Sequence, residues 1–278
     1  MKSIICLLAS CLFFAVISAQ KIHLNTFLGV ANYYGDLQSK RFTFDQSKLA
    51  IGGGLSYEVS DKFFIRTGLS IAQVSADDKY NPQTRVRNLN FTTSIKEAFI
   101  AGEYYFRNLY ESPVSPYIFA GVAMYHFNPY TYDTTGNKIY LQPFSTEGEG
   151  FYQNRQPYRL SQFAIPLGVG IKLALSENVR MGFEIGYRKL FTDYLDDVSS
   201  TYVDPNLLLA NRGPKSVELA YRASELKNAP PYPIGDNRGG SKFKDWYYFS
   251  GVTTSFRIGN GDKGGRSHYK VGCPGRIY

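Results

Sequence analysis

Residues 163–187 read FAIPLGVGIKLALSENVRMGFEIGY and carry the pattern that decides the fold. In residues 163–175 the large apolar side chains fall on odd positions, and small or polar residues fall on even ones. Residues 179–187 repeat the alternation, with Arg180 and Glu184 among the glycines of the second face. Strict alternation on both sides of the short link SEN predicts two antiparallel β-strands joined in a hairpin.

Six further segments alternate in the same way, though less regularly. The 278 residues include 26 Gly, 23 Tyr and 20 Phe, while the mean hydropathy is only -0.26, which is typical of strand-rich proteins. In the fourth strand along the chain, Glu97 and Glu103 share one phase and Lys96 has the other, so its register stays open. The six additional strands are predicted at Ile22–Tyr34, Leu49–Tyr57, Phe63–Ile71, Phe91–Phe106, Tyr117–Phe127 and Trp246–Ile258.

The connections between these strands alternate between short and long. Short links follow the second, fourth and sixth strands, at residues 60–62, 107–115 and 176–178. The other links have about a dozen residues twice, then roughly thirty and more than fifty. In an up-and-down antiparallel sheet, alternate links lie at opposite ends, so all the long loops share one end. This asymmetry predicts an all-β protein, an eight-stranded antiparallel up-and-down transmembrane β-barrel with long external loops.

A soluble, lipocalin-type barrel is the alternative, but it predicts charged outer faces. Here the non-apolar faces are rich in Gly, Ala and Ser, which suits a crowded lumen. Pro166 lies inside a strand and predicts a β-bulge, because proline cannot donate to the ladder. Aromatic girdles are predicted near the strand ends, formed by Tyr33, Tyr34, Tyr104, Tyr105, Phe106, Tyr187, Trp246 and Tyr247.

The N-terminal segment predicts export. Residues 1–19 have a positive start, an apolar core and a small residue, Ala19, for cleavage, which is typical of a signal peptide. Leu8–Cys11 also has the form of a lipoprotein cleavage box, and lipidation there is the less favoured alternative. Residues 20–258 then form the barrel, and the expected location is the cell outer membrane.

Residues 259–278 are predicted to form a basic, glycine-rich periplasmic tail. The tail either stays disordered or docks on a protein or on the cell wall. After signal cleavage it holds the remaining cysteine, so no internal disulfide is expected. The candidate partner-binding residues of the tail are Lys263, Arg266, Lys270, Cys273 and Arg276.

The formal charge of +8 suits an anionic membrane surface or an acidic partner. The chain has no basic helix or repeated basic motif, so we expect outer-membrane lipids as contacts and no nucleic acid. Several charges share the small-residue faces and should point into the lumen. These are either an ion pathway or a plug of paired charges, and the plug is favoured because eight strands leave room only for side chains. The predicted network contains Arg66, Lys172, Arg180, Glu184, Arg188 and Arg257, with Glu184 and Arg188 as expected partners.

Four aspartates follow the seventh strand, at Asp193, Asp196, Asp197 and Asp204. We favour a loop-shaping role for them, in caps and turns. A metal site is the minority interpretation, since no calcium-loop spacing is present, and an acid-pair catalyst is less favoured again. His126, at the predicted external rim, is a weak candidate for a lipid hydrolase. We expect a non-enzymatic protein without a cofactor or a small-molecule substrate.

Several stretches resemble the PorG-like family of Bacteroidota outer-membrane barrels. They are GVANYYGDL, SPYIFAGVAMYHFNP, AIPLGVGIKLAL, MGFEIGYRKLFTDYLDDVSSTYVD and KDWYYFSGVTTSFRI, which together span the mature chain. The most specific part is the block that contains the motif residues Arg188, Phe191, Asp193, Asp196 and Asp197.

The resemblance implies an eight-stranded barrel of the type IX protein secretion system. Such a barrel would contact the periplasmic ring formed by a lipoprotein and its periplasmic partner, and the family supplies no catalytic residue. The PorG-like family also includes barrels of unassigned role. The alternative is therefore a surface-exposed binding or adhesion barrel that acts through its long external loops.

Overall fold

The structure is a computed structural model that describes residues 21–258 apart from residues 39, 41, 42, 44 and 243. Two groups of predictions therefore lie outside the described residues. One is the signal segment, residues 1–19. The other is the basic tail, with Lys263, Arg266, Lys270, Cys273 and Arg276.

Eight long strands and one short two-stranded hairpin make up the described β-structure. The first and last strands have the predicted bounds, and the others begin or end one to six residues away. The hairpin, β6–β7, lies in a loop and was not predicted. In chain order the strands are β1 (Ile22–Tyr34), β2 (Lys48–Ser60), β3 (Phe63–Asp77), β4 (Asn90–Tyr105), β5 (Val114–His126), β6 (Tyr130–Tyr132), β7 (Lys138–Tyr140), β8 (Ser161–Ala174), β9 (Val179–Leu190) and β10 (Trp246–Ile258).

Two short helices, α1 (Pro205–Arg212) and α2 (Pro214–Ala220), lie in the last loop. Each begins at a proline, which suits the first turn of a helix because the missing N–H has no partner there. The described chain contains no helix with the length and apolar character required to span a membrane.

The eight long strands form a closed antiparallel barrel. Each pairs with its neighbour in the chain, β5 pairs with β8, and β1 pairs with β10 to close the ring. Hydrogen-bonded partners followed once around the barrel lead from Arg180 back to Leu190, a shear of ten residues (190 − 180). An eight-stranded barrel with this shear encloses a narrow space that its own side chains fill. The predicted eight-stranded up-and-down barrel is confirmed.

The outer faces of the strands carry large apolar side chains. The side chains of Leu28, Leu69, Val122 and Phe163 are 58–67% exposed. An apolar surface of this extent around a whole barrel is incompatible with water and matches the lipid-facing band of membrane barrels. The barrel is therefore a transmembrane barrel, as the sequence predicts, and the lipocalin-type alternative is wrong.

The links have the predicted asymmetry. Residues 61–62, 106–113 and 175–178 make the turns at one end, the short-turn end. The other end carries loop 1 (35–47), loop 2 (78–89), loop 3 (127–160) and loop 4 (191–245). These four segments are the external loops.

Two local predictions are wrong. Pro166 stays in register opposite Arg188, and the ladder to β5 continues in the same register on either side of it. Its missing N–H therefore leaves a gap in the ladder and no bulge. Tyr33, Tyr105 and Tyr247 point into the barrel and are buried, so they belong to the core and not to a girdle.

Candidate functional site

The lumen is closed near the short-turn end by a ring of aromatic and charged groups. Tyr110, in the turn between β4 and β5, donates a hydrogen bond of 2.5 Å to Glu58 Oε2. His23 Nε2 lies 3.7 Å from the same oxygen. The guanidinium carbons of Arg180 and Arg257 each lie 5.1 Å from the centre of the Tyr110 ring. Cation–π contacts of this kind hold the turn beneath the barrel.

The middle of the lumen contains a buried ion-pair network. Arg66 donates to both oxygens of Glu184, at 2.7 and 3.2 Å, and lies 3.1 Å from Glu103 Oε1. Lys172 Nζ lies 3.9 Å from Glu103 Oε2, and Tyr117 donates to Glu184 at 2.7 Å. Buried charges are stable when they are paired, and each of these four charged groups lies within 4 Å of an opposite charge. Among the described residues, Arg66 Nε and Glu103 Oε1 have no hydrogen-bond partner of their own.

A second ion pair lies above this layer, toward the external loops. Arg188 donates to Glu97 Oε2 at 3.1 Å and to Glu97 Oε1 at 3.0 Å, and Tyr247 donates to Glu97 at 2.7 Å. Gly186 leaves the space for this arginine, because a Cβ there would lie 2.6 Å from Arg188 Nη1. The expected Glu184–Arg188 partnership is therefore wrong, since Glu184 pairs with Arg66.

The structure places the predicted lumen residues as follows. Five of the six are buried inside the barrel, and Arg257 is half-buried at the short-turn end. Their acidic partners Glu97 and Glu103 were missed, because the open register of the fourth predicted strand hid the direction of their side chains. The five buried residues are Arg66, Lys172, Arg180, Glu184 and Arg188.

A cavity of about 40 Å³ remains beside this network, lined in part by Asn25, Ser70, Lys172 and Thr253. That volume holds about two or three water molecules. Above it, a layer of apolar and aromatic side chains crosses the barrel, including Phe91, Ile95, Tyr125, Phe127 and Leu190. The described barrel interior is a plug and does not form a channel.

The external loops form a cap above the plug, and buried acids lie at its centre. Tyr33, at the top of β1, donates to Asp196 Oδ2 at 2.5 Å and lies 3.1 Å from Asp245 Oδ1. The hydroxyl has one hydrogen, so it serves one carboxylate at a time. Backbone amides of Leu195 and Val198 donate to Asp245 and Asp196, at 2.9 and 3.0 Å.

Asp197 joins loop 4 to loop 3. Thr146 and Tyr158 each donate to its carboxylate at 2.6 Å. Asp197 also has a φ of 66°, in the left-handed region that aspartate tolerates better than most residues. This residue therefore both shapes the turn and ties two loops together.

Arg238 is the main cation of the cap. It donates to Glu147 Oε1 at 3.0 Å and to the carbonyl oxygen of Asp197 at 2.6 Å. Glu147 also accepts from the backbone amides of Ser199 and Ser200, at 3.0 and 2.8 Å. Loops 3 and 4 therefore share a buried polar core.

Loops 1 and 2 join the cap through Arg87. It donates to both oxygens of Asp78, at 2.8 and 2.7 Å, and to the carbonyl oxygens of Asp36 and Arg238. The Asp36 carboxylate in turn accepts from the backbone amide of Gly240 at 3.0 Å. All four loops are thus held in one arrangement.

Of the four predicted aspartates, three are buried in the cap and Asp204 lies outside it. Asp204 caps α1 by accepting from the amide of Asn206 at 2.8 Å. Asp193 accepts from Ser199 at 2.8 Å, while its second oxygen is buried without a partner. Among the described residues, no group of three or more histidine, cysteine or acidic side chains is arranged to hold a metal ion. The geometry favours the loop-shaping interpretation. Phe191, the remaining motif residue, is exposed beside the barrel rim.

Burial makes several of these carboxyl groups hard to ionise. It raises the pKa of Asp193 and of Asp197 to about 6, although Ser199 and Arg238 respectively oppose the shift. It raises the pKa of Glu149 to about 8, aided by the charges of nearby acids. The pKa of Asp196 rises well above its ordinary value through burial and the neighbouring charge of Asp245. The cap therefore holds protons that free carboxylates would lose.

His126 lies at the end of β5, exposed on the outer face. Its Nδ1 lies 2.9 Å from the hydroxyl oxygen of Ser161, a residue not considered as its partner from the sequence. Within the described part of the chain, no carboxylate lies within 4 Å of His126 to orient it, as a catalytic triad requires.

Residues 1–207 match the model of a family described as a domain of unknown function, DUF6089. The chain belongs to the DUF6089 family. The matched region contains seven barrel strands of this DUF6089 protein, β1 to β5, β8 and β9, and ends inside α1. No curated protein sequence matches the chain.

Solved structures of bacterial surface barrels are similar to the DUF6089 chain at low identity. Neisserial surface protein A is 10% identical, with a TM-score of 0.41, covering 86% of this chain and 97% of that one. Ail of Yersinia pestis is 8% identical, with a TM-score of 0.41, covering 85% and 97%. OprG of Pseudomonas aeruginosa, an outer membrane protein, is 12% identical, with a TM-score of 0.39, covering 86% and 98%. The barrel assignment rests on the strand pairing itself.

Proposed function

We propose that this protein is a non-enzymatic barrel of the bacterial outer membrane that holds partner proteins at the membrane. The observation that carries this proposal is the filled lumen. The Arg66–Glu184 and Arg188–Glu97 pairs and the aromatic layer above them leave a cavity of only about 40 Å³. A barrel with a filled lumen has no channel for a substrate, so its function depends on the surfaces that it presents to partner proteins.

The specific role that we propose is in type IX protein secretion, contacting the periplasmic ring lipoprotein and its partner. The support is the residue-level resemblance to the PorG-like family, above all in the block from Arg188 to Asp197. The orientation follows from the long loops, which face outward in outer-membrane barrels, so the short-turn end, where β10 ends, faces the periplasm. Export through the predicted signal segment belongs to the same proposal.

Affinity purification of the full chain from its own membranes tests this role. We expect the ring lipoprotein and its partner to be recovered. A variant lacking residues 259–278 should lose them, while a variant with a shortened loop 4 should keep them. Both variants should still migrate as heat-modifiable barrels on a gel. Absence of ring proteins from the full chain would contradict the secretion role.

A second candidate function is recognition of a ligand or another cell by the external cap. The observation that favours it is the combination of an ordered polar core beneath the cap with apolar side chains on its outside. Leu209, Leu226 and Ile234 are exposed on loop 4. Ordered loops lose little conformational entropy on binding, which suits a recognition surface.

Shortening loops 3 and 4 separates the two candidates. A recognition barrel should lose cell or ligand binding while secretion continues. A secretion component should instead lose secretion, and keep any cell or ligand binding, when its periplasmic tail is removed. The triple change Leu209→Ser, Leu226→Ser and Ile234→Ser is a milder form of the same test, because it leaves the buried core of the cap intact.

A further inference from the structure

One arc of the outer barrel surface carries a row of polar side chains. Lys96 on β4 is the register partner of His126 on β5, which is the partner of Ser161 on β8. All three are exposed. Lys96 and His126 alternate with buried, inward-facing neighbours, and Ser161 has the same phase as the exposed Phe163. Neighbouring strands lie about 5 Å apart, so the three side chains span about 10 Å of the surface.

This row lies at the edge of the apolar band. The next outward residues toward the short-turn end include Met124 and Phe163, which are 56% and 66% exposed. Acyl chains contact such side chains, and lipid headgroups lie just beyond them. The polar row therefore lies at the depth of the headgroups, on the side of the external loops.

Lys189 on β9 joins the row. Partners followed from Lys96 across three strands lead to the level of residue 193. Because the strands are tilted, register partners rise toward the external loops by ten residues around eight strands, which is about four residues over three strands. The residue of β9 at the same height as Lys96 is therefore Lys189. On the other four strands the outward residues at this height include Tyr34, Leu49, Gln73 and Trp246, none of them charged. Lys96 and Lys189 are therefore the cations in the outward phase of the strands at this height, and Lys48 is a further exposed lysine where β2 begins.

The cations of this arc lack acidic partners. No carboxylate of the described residues lies within 4 Å of Lys96, Arg159 or Lys189. Arg159 is exposed two residues before Ser161. When the Ser161 hydroxyl donates to His126 Nδ1, the hydrogen of the neutral ring is on Nε2, which becomes a donor for an anion. The arc thus offers several donors and no competing acceptor charge.

We propose that this arc binds the phosphate groups of a diphosphorylated lipid in the outer leaflet. Lys96 and Lys189 lie three strands apart and contact different phosphate groups. Lys96 and Lys189 supply the charge, and His126, oriented by Ser161, supplies a directional hydrogen bond. Met124 and Phe163 contact the acyl chains below, which a free phosphate ion does not have. This inference rests on the membrane setting of the proposed function and not on its role in secretion.

Native mass spectrometry of the full chain in detergent tests the site. The probes are a diphosphorylated diglucosamine lipid and its dephosphorylated form with the same acyl chains. We expect the wild type to retain the phosphorylated lipid preferentially. The double variant Lys96→Gln and Lys189→Gln should bind it about tenfold more weakly, since each lysine near a membrane surface contributes about fivefold at most.

The matched control is the double variant Lys62→Gln and Lys227→Gln, which removes two exposed lysines outside the arc. It should bind like the wild type, and a heat-modifiable gel shift should show that every variant is folded. Three binding results would overturn the proposal. They are equal retention of the dephosphorylated lipid, unchanged binding by the Lys96 and Lys189 variant, and displacement of the lipid by millimolar inorganic phosphate. Cleavage of the lipid by the wild type would overturn it in favour of a hydrolase built on His126 and Ser161.

Discussion

The lumen and the external cap both bury many acids, but they stabilise them in different ways. In the lumen Glu97, Glu103 and Glu184 each lie within 4 Å of an arginine or lysine. In the cap no cation of the described residues lies that close to Asp196 or Asp245. Those two carboxylates are served by a tyrosine hydroxyl and backbone amides instead.

The difference follows from the surroundings of the two regions. The lumen lies within the membrane, where a single unpaired charge is very costly, so cations and anions occur together. The cap borders water, so its carboxyl groups can take up protons as an alternative to pairing. The lumen network should therefore be insensitive to pH near neutrality, while the cap should respond to it.

The largest effect is expected from breaking a lumen pair. Arg188→Met leaves Glu97 buried without a cation within 4 Å among the described residues, which should lower the free energy of unfolding by about 3–5 kcal/mol. Urea unfolding of the barrel in lipid, followed by the gel shift, measures this. Arg85→Met, at an exposed arginine of loop 2, is the control and should change little. Adding Glu97→Gln to Arg188→Met should recover much of the loss; a loss below about 1 kcal/mol for the single variant would contradict the ion-pair interpretation.

A smaller and more local effect is expected in the cap. Arg238→Met removes the cation that joins Glu147 to loop 4, so loops 3 and 4 should open while the barrel stays folded. We expect a local loss of about 2–4 kcal/mol, because Glu147 remains buried without a charge partner. Limited proteolysis of residues 191–245 measures the opening. Lys227→Met, at an exposed lysine of the same loop, should leave the cleavage rate unchanged.

The pH dependence of the cap tests the comparison directly. The pKa of Asp193 and of Asp197 is raised to about 6, and that of Glu149 to about 8. A raised carboxyl pKa means that the closed cap binds protons more tightly than the open one. This proton binding stabilises the closed cap fully below about pH 4, and the stabilisation is lost as the pH rises through 6 and 8.

Hydrogen exchange measures this loss. After correction for intrinsic rates, protection of loop 4 should fall by at least about tenfold between pH 5 and pH 9, while that of the barrel strands stays constant. Asp196→Asn should weaken the dependence, because it removes one of the crowded carboxyl groups. A cap whose protection increases with pH would contradict the proposed proton sharing.

The smallest effect is expected at the helix cap. Asp204→Ala removes the acceptor for the amide of Asn206, which should destabilise α1 by about 1 kcal/mol. Asp204→Asn keeps an equivalent acceptor and is the matched control. Hydrogen exchange in α1 distinguishes them, and equal exchange in the two variants would show that the capping bond contributes nothing.

The strands were predictable because lipid imposes one rule on every residue of the barrel. Outward positions must be apolar and inward positions small or polar, so the alternation appears in the sequence. Where the alternation weakens, the prediction stops early. The seventh strand was predicted to end at Tyr187, while β9 continues to Leu190, because backbone pairing with β10 and β8 continues past the apolar pattern.

The partners of the charged residues were not predictable in the same way. Alternation places Arg66, Glu184 and Arg188 in the lumen but does not show which faces which. That choice depends on the register and the shear, which bring Arg66 to Glu184 across the barrel, 118 residues apart in sequence. Glu97 was not predicted as a lumen residue for a related reason. Lys96 beside it is also charged, so the sequence did not show which of the two faces of β4 points inward.

The sequence by itself determined the barrel, the number of its strands and the end at which the long loops lie. These properties are local, because each depends on the period of side chains along one strand or on the length of one link. Only the tertiary structure decided that Asp193, Asp196 and Asp197 lie together with Asp245 in a buried cap. Contacts between loops far apart in sequence have no period to reveal them, and they form only after the barrel has brought the strand ends together.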